Sequence, residues 1–143
     1  MDSLLEFLLQ FHSGWRYLVL LTTVLTMLYF AYALATGRTS PKQEGLILRI
    51  WPRFIDIQVT LGILLALLFI IEDRWYSALI GHIVLGLLAS VLVNVPAIYK
   101  RLNGDPNDTV RRIMGVAVPL ATLILIVIGI LSIRDGIFEM TNT

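Results

Sequence analysis

The chain has 143 residues, 57% of them apolar and 15% charged, and its mean hydropathy is +0.83. That is too oily for a soluble domain of this length and marks an integral membrane protein. A net charge of +1 leaves no basic surplus for nucleic acid, and the absence of cysteine excludes disulfides, thiolate metal sites, cysteine-held iron–sulfur clusters and thioether-attached haem.

Four apolar runs reach the ~20 helical residues that a hydrocarbon core requires, at about 4–36, 54–71, 75–99 and 113–133. They predict a single all-α transmembrane domain over 1–143, built as a four-helix bundle. Asp2 and Glu6 stand where a signal peptide would carry basic residues, and no small-residue cleavage site follows, so the first run is expected to be retained. Ser3 with Glu6 has the spacing of a capping box and sets the expected start of the first helix. That helix should end near Thr36, because Gly37 suits a C-cap and Pro41 opposes continuation.

The stretch 46–51, closed by Pro52, is expected to lie at the membrane interface, with Pro52 and Arg53 opening the second helix. Glu72-Asp73-Arg74 is a short hinge that makes the second and third helices antiparallel neighbours, with Asp73 the expected N-cap of the third. In the last loop, Gly104-Asp105-Pro106 marks a turn, and Asp108 or Thr109 is the expected cap of the fourth helix. That helix carries no ionisable residue between Arg112 and Arg134 and reads as a structural helix facing lipid or a partner. Trp15, Trp51 and Trp75 fall near helix ends and read as interface anchors.

Loop charges set the orientation. Arg38, Lys42, Arg49 and Arg53 surround the first loop and Lys100, Arg101, Arg111 and Arg112 the third, while Arg74 and Arg134 are the cations of the other side. Both basic loops are therefore expected in the cytoplasm and both termini on the non-cytoplasmic side.

The polar residues inside the runs are the candidates for chemistry, because ionisable groups in a bilayer are costly unless held by a partner or a task. His12 and Arg16 lie about 40° apart on a helix and share a face with Val19, Thr23 and Phe30, which should point inward. His12 lies eight residues from Leu4, and His82 lies eight residues from Arg74, at the start of the third run. Both helices enter from the same side, so the imidazoles should sit at one depth. Two such histidines can ligate a b-type haem iron, with Arg16 facing a propionate and Gly86, one turn beyond His82, admitting a flat ring. The alternative is plain packing: Gly86 and Ser90 form a small-xxx-small pair, and either histidine can bond a backbone carbonyl. Asp56 is read first as a partner of Arg53, and Gln58, which points away from Asp56, as a hydrogen-bonding link between helices, while Asp56, Gln58 and Asn94 together could face a quinone carbonyl.

His12-Ser13-Gly14-Trp15-Arg16-Tyr17-Leu18, Asp56-Ile57-Gln58 with Leu61-Gly62, and His82 resemble a group of small bacterial four-helix membrane proteins, some labelled cytochrome-b-like. Members of that group often carry a further histidine where this chain has Asn94, which leaves His12 and His82 as the histidine pair. The resemblance implies a small subunit of a bioenergetic membrane complex in the bacterial cytoplasmic membrane, binding at most one haem. A cofactor-free accessory subunit packed on a larger membrane partner is the alternative.

Overall fold

The computed structural model describes residues 2–75 and 77–133. They form five helices, α1 (Asp2–Thr36), α2 (Pro41–Ile71), α3 (Ala78–Val93), α4 (Val95–Asn103) and α5 (Asp108–Leu131). Helices α1, α2 and α5 are each long and apolar enough to cross a membrane, and α3 with α4 forms a bent pair that is a further candidate span. The chain is an integral membrane protein of all-helical structure.

Local chemistry fixes most helix ends. Gly37 adopts φ 65 and returns its N–H to the Ala33 carbonyl at 2.9 Å, ending α1 where expected. The Ser40 side chain accepts from the Gln43 N–H at 3.2 Å, and Pro41 occupies the first turn of α2, where a missing donor costs nothing. Gly104 (φ 81) ends α4, and Asn107 caps α5 by accepting from the Val110 N–H at 2.9 Å.

Several boundaries differ from the sequence expectation. The capping-box reading of Ser3 is not met, since α1 already includes Asp2 and Ser3 lies within it. The second helix begins at Pro41, not near Phe54, and runs unbroken through Pro52. Proline removes one helical donor, a loss that a helix packed among neighbours tolerates. Asp73 does not cap the third helix; with φ 54 it turns the chain out of α2, a left-handed conformation that Asp accepts more readily than most residues. The third apolar run is broken at Asn94 and bends by 42°, because Pro96 cannot donate to the turn before it. Asn107, not Asp108 or Thr109, caps the last helix, and Asp108 instead bonds Arg111 at 2.6 Å.

Helix α1 packs between α2 and α5, and α3 does the same from the opposite side, so α1 and α3 stand on the diagonal. The apolar core lies among all four, with Val19, Trp51, Ile55, Ala89, Val93 and Val118 buried together. Trp51 is thus no interface anchor. It is 2% exposed and donates from Nε1 to Thr23 Oγ1 at 3.0 Å. Helix α5 is more than a lipid-facing wall, because it contacts both α1 and α3 closely through Gly115 and Gly129.

The two ends of the bundle differ. At one end Arg74 approaches Asp2 at 3.6 Å, which sets the α2–α3 turn beside the start of α1. At the other, the fully buried Glu44 accepts from Arg111 Nε at 2.6 Å, Arg112 Nε at 2.9 Å and Thr39 Oγ1 at 2.5 Å. This clamp ties the start of α2 to the start of α5. Arg134, counted above among the cations of the first end, lies outside the described residues.

Candidate functional site

The inward face predicted for α1 is the observed one: Arg16, Val19, Thr23 and Phe30 are all buried. His12, one turn before Arg16, meets His82 of the diagonal helix α3, with ring centroids 6.2 Å apart and ring planes at 73°. The equal depth holds, although the register that predicted it does not. Helix α1 starts two residues earlier than counted, and α3 starts only at Ala78, after non-helical residues 74–75.

Each imidazole is held by the helix beside it. On α2, Gln58 Nε2 stands 3.2 Å from His12 Nε2 and donates at 3.1 Å to the His12 carbonyl. A Cβ at Gly62 would lie 3.2 Å from His12 Cε1, so the ring rests on bare backbone. On α5, His82 Nδ1 is 2.9 Å from the Gly129 carbonyl oxygen. That carbonyl lies near the end of α5, and among the described residues His82 Nδ1–H and Ser132 Oγ donate to it. Donation from Nδ1 leaves His82 Nε2 with the lone pair. Gly129 also gives His82 its space, since a Cβ there would lie 3.8 Å from Nδ1.

A cavity of about 290 Å³ opens between these helices, and His12, Arg16, Gln58, Gly62, His82 and Gly86 contribute to its lining, with aliphatic side chains around them. Arg16 Nη2 donates to Tyr17 Oη at 3.1 Å, and its guanidinium carbon lies 4.9 Å from the Tyr17 ring centre. Gly86 borders the cavity and also brings α3 against α2, where a Cβ would lie 3.8 Å from Val59.

Asp56 and Asn94 come together elsewhere, without Gln58. Asp56 Oδ1 accepts from Ser90 Oγ at 2.8 Å and from Asn94 Nδ2 at 3.4 Å, and Oδ2 pairs with Arg53 at 3.1 Å. Oδ1 thereby ties α2 to α3, while Oδ2 is held within α2.

The two histidines meet the first requirements of a haem axis. Metal–imidazole bonds of ~2 Å on either side of one ion separate the ring centres by about 6 Å, close to the observed spacing. No group of three or more His, Asp or Glu side chains converges among the described residues. A metal held by His12 and His82 must therefore bring the rest of its coordination sphere with it, as a porphyrin does. His82 Nε2 carries its lone pair by tautomer, whereas the Gln58 amide stands against His12 Nε2 and must turn aside before that nitrogen can ligate. The donor types fit the group on those terms.

Sequence reasoning gave Gly62 and Gly129 no place in the site; its reading of Gln58 as a link between helices is met by the bonds to His12, whereas the grouping of Gln58 with Asp56 and Asn94 is not. Gly62 lies one turn after Gln58 on the same face, a small residue beside a polar one, and that was the available signal. Gly129 carried none, because its role depends on where α5 ends.

No protein-family model, curated protein or solved structure matches this chain.

Proposed function

We propose that the protein is a small membrane subunit of a bioenergetic electron-transfer complex, a four-helix transmembrane bundle that binds one b-type haem between His12 and His82. The observation that carries this reading is the meeting of the two histidines, 6.2 Å apart, from diagonal helices at an apolar cavity. At about 290 Å³, that cavity lies just below the ~300–1,000 Å³ range of ligand sites, so binding a group the size of a haem would widen it. A bound haem supplies reversible one-electron chemistry. The chain's own part is to orient His82 through the Gly129 carbonyl, to surround the site with low-dielectric walls and to offer the buried Arg16 as a counter-charge for a propionate. The basic residues gathered around residues 37–53 and 100–112 support a cytoplasmic position for that end, with both termini outside and the bacterial cytoplasmic membrane as location. A quinone site would draw on Asp56 and Asn94, since Gln58 is engaged with His12.

A second reading, a cofactor-free accessory subunit packed on a larger membrane protein, is favoured by the hydrogen bonds already made to both imidazoles. Reduced-minus-oxidised absorption spectra of the purified protein separate the two. The haem reading expects b-type bands at one haem per chain, lost in His12→Ala and His82→Ala. Bands absent from the wild type, or undiminished in both variants, overturn it. Recovery of a haem-free protein bound to a membrane partner supports the second reading, and a stable haem-free monomer opposes both.

A further inference from the structure

At the basic end of the bundle, a groove of about 690 Å³ runs between the first half of α2, α4 and the start of α5. Its lining includes five cations, Lys42, Arg49, Arg53, Lys100 and Arg111, and a single acid, Asp105. Three of the cations are neutralised within the protein. Lys100 pairs with Asp105 at 2.8 Å, Arg53 with Asp56 at 3.1 Å, and Arg111 with Glu44 and Asp108 at 2.6 Å each. Lys42 and Arg49 are exposed and make no ion pair among the described residues, which leaves two uncompensated positive charges on one wall.

Helix geometry puts these charges at headgroup height. Lys42, Arg49 and Arg53 recur at seven and four residues, so they fall within about 40° of one another on α2. With 31 residues, α2 is ~46 Å long, well beyond the ~30 Å hydrocarbon core. Residues 57–71 carry no charge, so the excess length projects at the other end, where Lys42 and Arg49 stand. The kink at Asn94 turns α4 across the mouth of the groove, and Leu48 and Met114 give the groove apolar surface beneath the cations.

We propose that this groove is a binding site for the headgroup of an anionic phospholipid, with Lys42 and Arg49 holding its phosphate and the apolar wall receiving the start of an acyl chain. Charge complementarity selects the occupant. A zwitterionic headgroup brings its own cation into a site that already has an excess of two, whereas an anionic one lowers that excess.

The test uses the full chain in nanodiscs of phosphatidylcholine with a minor fraction of phosphatidylglycerol, and native mass spectrometry to count the lipids retained on release. The wild type is expected to retain phosphatidylglycerol in excess of its share. At about fivefold per basic residue, Lys42→Gln/Arg49→Gln should weaken that preference about 25-fold, while Arg38→Gln/Arg101→Gln, which removes exposed cations outside the groove, should keep it. The single Arg49→Gln variant, expected at about fivefold, and loss of the wild-type preference at high salt carry the test if the double variant does not fold. No enrichment in the wild type, or equal losses in the two double variants, overturns the proposal. So does displacement of the retained lipid by millimolar inorganic phosphate, which would make the ligand a soluble anion.

Discussion

Phe30 of α1 fills the space that a side chain at position 115 of α5 would need: a Cβ added to Gly115 would overlap the Phe30 ring, and Phe30 is fully buried. The closest packing in the bundle, between α1 and α5, passes through this contact. Gly115→Ala should gain up to ~1 kcal/mol of helix propensity but lose more to overpacking, for a net destabilisation of about 1–2 kcal/mol. Thermal unfolding in detergent checks it, and Phe30→Leu in the same chain should recover part of the loss.

Glu44 is fully buried and faces two guanidinium groups that are only 11% and 13% exposed. Removing one partner of a buried ion cluster leaves charges without compensation, so Glu44→Gln should cost about 3 kcal/mol. Arg111→Gln should cost less, because Arg112 remains on the same carboxylate. Equal losses in the two variants, measured by denaturant unfolding, would remove Glu44 as the common centre of the clamp.

Gln58 connects α2 to His12 through both the ring and the backbone carbonyl. Gln58→Leu withdraws a donor from a half-buried site, and the haem-free protein should lose about 1–2 kcal/mol. The same change takes the Gln58 amide away from His12 Nε2. Haem titration of the variant should therefore give equal or tighter binding than the wild type. Weaker binding would mean that Gln58 supports the site by some route other than occupying that nitrogen.

Asp56 links three residues, yet its bond to Arg53 lies near the surface, where ion pairs contribute ~0–1 kcal/mol. The bond from Ser90, at 2.8 Å and partly buried, should dominate. A double-mutant cycle of Asp56→Ala and Ser90→Ala should give a coupling of about 1 kcal/mol, exceeding that of Asp56→Ala with Arg53→Ala. Unchanged turnover of a parent complex carrying Asp56→Asn would speak against a quinone role for this cluster.

The inward face of α1 was legible from spacing alone, because a helix repeats every 3.6 residues and the buried set Arg16, Val19, Thr23 and Phe30 keeps that period. The membrane setting followed from composition, and the end of α1 from the glycine at 37 acting within a few residues. These are local properties, and the sequence determines them without reference to the rest of the chain.

Other features depended on neighbours. Pro52 reads as a helix breaker, but α2 continues through it because adjacent helices support the turn. That Gln58 turns away from Asp56 follows from spacing, since residues two apart on a helix point to different sides, but packing decides that it meets His12 of α1. The sequence by itself determined a helical membrane protein whose first helix turns Arg16, Val19, Thr23 and Phe30 inward. Only the tertiary structure decided that the helices of His12 and His82 stand on the diagonal, that Gly62 and Gly129 seat the two rings, and that a helix-end carbonyl sets the His82 tautomer, because long-range packing brings those groups together.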